Sequence, residues 1–174
     1  LWSNDYVLNG NPYITCDVAR FGKDKTVVGL WDGMILTEIR ELATSSVKDV
    51  VELVDTMAYN NGVPKSNIII DEDGVGGGVV DYLNVNGFVN NSSPLKSTTY
   101  KENYQNLKTQ CIFRLAEEIR KGNMYFKVEK NKELIEELEM LRVKGVDFDG
   151  KLQCYSKDEI KKIIGRSPDY SDMV

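Results

Sequence analysis

From Tyr13 onward, apolar-rich segments are parted by turn residues. YITCDVA (13–19) and TVVGLWDG (26–33) read as strands, and MILTEIREL (34–42) as a third in which apolar residues alternate. RFGKDK separates the first two and Asp32-Gly33 the next pair, so the three segments predict an antiparallel meander. The period then lengthens. In SSVKDVVELVDTMAYNNG the apolar residues Val47, Val50, Val51, Val54 and Met57 recur at helical spacing. Ser46 is placed to cap that helix with Asp49 three residues on, and Asn61-Gly62 stops it. NIIID (67–71) is short and wholly apolar up to its acid, which predicts a central strand covered on both faces. Gly76 to Gly78 lead into VVDYL, the start of another helix.

Further along, KENYQNLKTQCIFRLAEEIRKG (101–122) carries Leu107, Cys111, Leu115 and Ile119 at four-residue spacing, with Tyr104 and Ile112 beside them. MYFKVE reads as a strand. NKELIEELEMLRV reads as a short helix with Leu134, Leu138 and Leu141 inward. VDFDGKLQCY is hairpin-like, turning at Asp149-Gly150, and DEIKKIIG gives a last helical turn or two, stopped by Gly165 and Pro168. Residues 1–12, with Asn, Gly and Pro, read as a linker ahead of one domain over 13–174. The order of strands and helices predicts an α/β architecture, a mixed sheet with helices on its faces.

Composition narrows the chemistry. The 174 residues are 41% apolar and 28% charged, the make-up of one globular domain. No run of about 18 apolar residues is present to span a bilayer. The N-terminal LWSNDYVLNGNPYIT lacks a signal peptide's basic start and apolar middle, and it lacks Met, so the chain is expected to be a piece of a longer polypeptide cut at both ends. There is no histidine. That removes Ser-His-Asp and Cys-His catalysis and the common His-based metal sites. Cys16, Cys111 and Cys154 are odd in number and too scattered for a zinc site or a disulfide framework; each is expected to be a buried small hydrophobe. The net charge of −5 disfavours a dedicated nucleic-acid binder, unless the acids are gathered to hold metal ions.

The glycines of DGVGGG do not make a nucleotide loop. No Lys-Ser/Thr follows Gly78, and Val79 stands where the dinucleotide fingerprint beginning at Gly74 needs glycine. Their expected role is a sharp turn off a strand end and a close helix approach. Attention moves to the acids. Asp17 closes YITC and Asp71 closes NIII, so each carboxylate emerges from a backbone pinned by a sheet. Each could equally cap a turn. Asp169 and Asp172 lie one helical turn apart in SPDYSD. Rigid carboxylates without histidine suit hard divalent cations, Mg²⁺ or Mn²⁺, and a pair of such ions suits phosphodiester hydrolysis.

DVARFGKDKTVV, IIIDEDGVGGGVVDYL and KDEIKKIIGRSPDYSDMV together resemble the C-terminal nuclease domain of the large terminase subunit of tailed bacteriophages. The resemblance spans about Tyr13 to Met173, with the three motifs in the right order and separation. It implies an RNase H-like (retroviral-integrase-like) fold, with antiparallel opening strands, further parallel strands and helices on both faces. It implies a Mg²⁺- or Mn²⁺-dependent endodeoxyribonuclease that cuts concatemeric double-stranded viral DNA during packaging. The family's three catalytic acids fall on Asp17, Asp71 and Asp169, with Asp172 the following acid of the last motif and Asp73 an alternative second ligand. Asp17 would bridge two divalent metal ions. Implied partners are double-stranded DNA, an ATPase domain in the same full-length chain, a small terminase subunit and a portal. No membrane is implied, the isolated domain is expected to be monomeric, and its place is the cytoplasm of an infected or lysogenic bacterium. Met173 departs from the alanine common after the last acid.

Lys23, Lys25, Lys161, Lys162 and Arg166 are candidate contacts to DNA phosphate; the alternative is a solvated hairpin tip for the first two and an exposed helix face for the rest. Glu133, Glu136, Glu137 and Glu139 read as a solvated acidic face turned away from DNA. Three other readings stand beside the nuclease: a non-catalytic domain docking on packaging partners, an RNase H-like resolvase preferring branched DNA, and an actin-like phosphate-binding ATPase. The last wants glycine soon after the first acid, where Val18 and Ala19 stand.

Overall fold

The computed structural model describes residues 1–3, 6–19, 24–96 and 103–174. Its opening is the antiparallel meander, β1 (Pro12–Asp17), β2 (Thr26–Asp32) and β3 (Ile35–Leu42). Helix α1 (Val47–Asn61) follows, closed at its start by the Ser46/Asp49 capping box and at its end by Gly62 in the left-handed conformation. A 3₁₀ turn (Lys65–Asn67) feeds β4 (Ile68–Asp71), then α2 (Gly76–Leu83) and β5 (Asn86–Phe88). After these come α3 (Leu107–Lys121), β6 (Tyr125–Phe126), α4 (Lys132–Met140), the hairpin β7 (Val143–Val146) with β8 (Leu152–Cys154), α5 (Lys157–Ile164) and α6 (Asp169–Met173). The main sheet has strand order β5-β4-β1-β2-β3-β6; β4 runs parallel to β1, β5 to β4 and β6 to β3. This is the mixed α/β sheet expected from the order of elements.

Alternation along β1 and β2 splits the core in two. Ile14, Cys16, Val28, Leu30, Ile68 and Ile70 face α1 and α2, meeting Val50, Val54, Met57, Val79 and Leu83. Val27, Trp31 and Leu36 face the other way, meeting Phe126, Leu134 of α4, and Tyr170 and Met173 of α6. Helices therefore cover both faces. Each fully buried aliphatic side chain contributes on the order of 2 kcal/mol. Leu1 and Trp2 pack on the second core, and the Trp2 indole N–H donates to Val128 O at 3.0 Å, so the start of the segment read as a linker is docked on the domain.

Several expectations need correcting. Ile69, at the centre of the apolar β4, is 38% exposed, because the face under α3 is not fully sealed. Cys111 is exposed and Cys154 half-buried; only Cys16 is a core residue. Helix α3 begins at Leu107, with the first residue of its four-residue repeat and later than the 101–122 segment that carries it, because the Asn106 side chain accepts from Thr109 N–H and fixes the start there. Strand β5, Asn-Gly-Phe, had no apolar alternation to reveal it. Glu137 is not on a solvated face: it is 1% exposed and reaches into the second core.

Two glycines stand at close approaches, one against a side chain and one against backbone. A Cβ at Gly29 would collide with Met173 Sδ, so β2 carries a notch into which α6 sets its last side chain. A Cβ at Gly76 would collide with the carbonyl of Asp71, so α2 can start tight against the end of β4. Gly74 supplies the positive φ, +72°, that turns the chain between them. Gly77 and Gly78 meet only ordinary contacts. Gly76→Ala should therefore cost about 1–3 kcal/mol, whereas Gly78→Ala should be neutral or stabilising by up to about 1 kcal/mol. Denaturant melts of the two variants beside the parent check the contrast.

Candidate active site

Strands β1 and β4 lie side by side in parallel, with Cys16 opposite Ile70. One step further along the same register, the chain ends of both strands set Asp17 beside Asp71, on strands about 4.8 Å apart. Asp17 shares its sheet face with Thr15, and Asp71 shares its face with Ile69, so both carboxylates point to the side where α6 lies. The loop leaving β1 is held by Thr26, whose hydroxyl accepts from Ala19 N–H at 3.0 Å and bonds Ser45 Oγ at 2.9 Å. Helix α6, seated by Met173 in the Gly29 notch, brings Asp169 and Asp172 to the same place.

The four acids feel one another. Asp17 is 3% exposed, and its carboxyl is pushed up to about 8, chiefly by burial; Lys157 opposes this, while Asp172, Asp71 and Asp169 add to it. The Lys157 ammonium stands among them, Nζ 2.8 Å from Asp172 Oδ2 and 3.5 Å from Asp17 Oδ2. Lys108 Nζ holds the other oxygen of Asp172 at 2.6 Å. Burial pushes Asp172 up, but the two lysines outweigh it and hold the acid below its ordinary value. Burial likewise works against the Lys157 charge, and Asp172 and Asp17 more than restore it. Asp169 Oδ2 accepts from Lys25 N–H at 2.8 Å, while its Oδ1 is buried without a hydrogen-bond partner. Asn90 orients the second acid: its Nδ2 donates to both oxygens of Asp71 at 3.1 Å and to Asp73 Oδ2 at 2.7 Å. Asp73 lies past the strand end, where its N–H donates to Asp71 Oδ1 at 3.0 Å.

Asp17, Asp71, Asp73, Asn90, Lys108 and Lys157 border an open cleft of about 490 Å³, lined also by Asn91, Gln105, Asn106 and Ser156, while Asp172 faces an adjoining cavity of about 220 Å³ that shares Asp71, Asn90 and Lys108. Of the basic residues singled out in the sequence, none of those described lines this cleft. Lys23 lies outside the described residues. The Lys25 ammonium is engaged by Glu133, Glu41 and the Tyr170 hydroxyl. Lys161 pairs with Asp24, and Arg166 is held by Glu136 and Glu137. Lys162 is exposed on α5. The cations of the cleft are Lys108 and Lys157. A signal for Lys108 was present: it shares the inward stripe of Ile112 and Leu115, and a cation in a helix's first turn is unfavourable without an acid partner. Asn90 and Lys157 had no such mark.

The donors are all oxygens, as a hard divalent cation requires. As the side chains stand, no three His, Cys, Asp or Glu residues among those described are drawn together tightly enough to ligate one ion. Carboxylates lacking a counter-ion repel, and here the Lys157 ammonium supplies the positive charge between two of them. The buried orphan oxygen of Asp169 and the cation already seated between Asp17 and Asp172 fit a site built for positive charge.

No protein-family model matches the chain, and no curated protein sequence matches it. Solved structures do. The nuclease domain of the large terminase subunit gp2 of bacterial virus Sf6 aligns with a TM-score of 0.83 at 20% identity, over 97% of this chain and 88% of that one. A mutant of that domain, solved with manganese and beta-thujaplicinol, aligns with a TM-score of 0.83 at 19% identity, over 97% and 87%. The large terminase nuclease from thermophilic phage G20c with bound magnesium aligns with a TM-score of 0.57 at 19% identity, over 98% and 83%. The fold of this chain is the RNase H-like fold of those domains.

Asp17 also dictates a pH dependence. Between about 4 and 8 the folded protein keeps a proton on Asp17 that the unfolded chain releases, so this group's contribution to stability falls as pH rises through that window. Asp172 acts in the opposite sense, losing its contribution as pH falls below its ordinary value. In EDTA, Asp17→Asn should melt higher than the parent at pH 8, by roughly 5 °C, and close to the parent near pH 4. Thermal melts across that range measure it; a constant offset at all pH values contradicts the assignment.

Proposed function

We propose that the chain is a metal-dependent endonuclease domain of a phage DNA-packaging terminase, cutting double-stranded DNA by hydrolysis with two divalent ions. The carrying observation is the convergence of Asp17, Asp71 and the two acids of α6, from three distant stretches of sequence, at one end of the sheet. The likeness of fold to terminase nuclease domains supports the same reading. In that setting the partners are double-stranded DNA, an ATPase domain in the same full-length chain, a small terminase subunit and a portal, and the place of action is the bacterial cytoplasm.

Asp17, Asp71 and Asp169 would hold the ions, with Asp172 and Asp73 as further oxygen donors. When bound, Mg²⁺ or Mn²⁺ lowers the pKa of water and neutralises charge on the leaving oxygen. The chain's own groups do the positioning. Asn90 fixes the rotamer of Asp71 by holding both its oxygens. Lys108 and Lys157 keep Asp172 ionised at neutral pH. Lys157 balances Asp17 and Asp172 and lines the cleft, where its ammonium would also be within reach of a phosphodiester. Asn91, Gln105 and Asn106 along the cleft offer amide contacts to a sugar-phosphate backbone, which hold register without reading bases.

A nicking assay on supercoiled plasmid, with EDTA, Mg²⁺ or Mn²⁺, tests the reading. Cleavage should require metal and be lost in both Asp17→Asn and Asp71→Asn; metal-independent cutting, or cutting unaffected by both substitutions, refutes it. Lys157→Met should strengthen Mn²⁺ binding measured by calorimetry, on the order of tenfold, because a competing charge has gone. Weaker binding would mean that Lys157 supports the metal-bound arrangement instead of competing with it.

A further inference from the structure

Helix α6 has only five residues, too few to be stable as an isolated helix. It also lacks a cap of its own: the residue before it is Pro168, which offers no side-chain hydrogen bond to the free N–H groups of the first turn. Those groups are met from a distant helix. Glu137, on α4, sets its Oε2 2.8 Å from Tyr170 N and 2.9 Å from Ser171 N, and both N–H groups donate to it. Its other oxygen is paired with the Arg166 guanidinium. Arg166 in turn reaches Glu136 at 2.6 Å and the Glu133 carbonyl at 3.4 Å, so the loop entering α6 is fastened to α4 at several points. Leu134, one turn before Glu137, is fully buried against the same core as Tyr170 and Met173.

We infer that Glu137 is a positioning residue for the metal site, capping α6 so that Asp169 and Asp172 are presented at fixed depth and angle beside Asp17 and Asp71. This rests on the nuclease reading given above. The geometry explains why a carboxylate is buried here at all. A buried acid is costly unless its charge is balanced and its lone pairs are filled. Glu137 has a guanidinium on one oxygen and two helix N–H groups on the other. A hydrophobic residue of the same size would pack as well, but would leave two buried N–H groups of α6 without acceptors. The clamp also explains what Arg166 does beside the third acid: it balances the anchor. Lys25 completes the arrangement from β2's side, its N–H on Asp169 Oδ2 and its ammonium 3.0 Å from Glu133, again on α4. Two turns of one helix therefore govern the acids of another.

The test is Glu137→Gln, with calorimetric Mn²⁺ binding, amide hydrogen exchange and thermal melting read on the same samples. The expected result is Mn²⁺ affinity reduced roughly tenfold or more, and protection lost at the Tyr170 and Ser171 amides, while the amides of β1 and β2 stay protected. A role confined to general stability would lower the melting temperature and leave Mn²⁺ affinity of the folded fraction unchanged. Mn²⁺ affinity within twofold of the parent therefore overturns the inference, as does unchanged protection at those two amides. Should Glu137→Gln not fold, Arg166→Lys takes its place: it keeps the charge but loses the second arm, and the same two readouts should move in the same direction by a smaller factor. A parent protein that binds no Mn²⁺ refutes the metal reading itself; the exchange at Tyr170 and Ser171 then still decides whether Glu137 anchors α6.

Discussion

Carboxylates buried side by side repel, and nearly every feature around Asp17, Asp71, Asp169 and Asp172 answers that repulsion. In water such a cluster would spread apart. Here two of the acids are pinned by strands and two by a helix that cannot swing away. The cost is distributed: Asp17 is driven toward its neutral form, Asp172 takes two ammonium groups, and Asp71 shares the Asn90 amide with Asp73. The same arrangement that is expensive without a cation is the one that rewards a cation most, because low dielectric strengthens attraction as well as repulsion.

Much of this was legible in the sequence because it follows from local rules. The meander follows from three apolar-rich segments parted by turn residues, α1 from its stripe and its Ser46/Asp49 box, and the emergence of Asp17 and Asp71 from their place at the ends of apolar runs. What could not be read depends on pairs far apart in the chain. Lys157 and Asp17 are 140 residues apart, and Glu137 meets Tyr170 across 33. No local pattern marks such meetings. Glu137 sits among acids that do face solvent, and only the direction of its side chain separates it from them. Arg166 beside Asp169 looked like a phosphate contact for the same reason: charge can be counted in a sequence, but its partner cannot.

The two sides of the sheet are built to different standards. Under α1 and α2 the core is continuous, running from Ile14 to Leu83 with close interdigitation. Under α3 it is looser, leaving Ile69 partly exposed and a cavity of about 220 Å³ that reaches Asp71, Lys108 and Asp172. The tight side supplies the rigid strands from which the acids project. The loose side lies beneath the helix that carries Lys108, so the firmest and the least firm parts of the domain meet at the carboxylates.

The notch at Gly29 reaches beyond packing. Met173 fills it, and a side chain at position 29 would displace the methionine's thioether. A chain with alanine in place of that methionine leaves a void that a side chain on the strand could occupy. The two positions thus form a compensating pair, and across descendants of a common ancestor they should drift together, one growing as the other shrinks. The depth at which the last acids sit is in this way inherited jointly, by a strand and a helix that are nearly the whole chain apart.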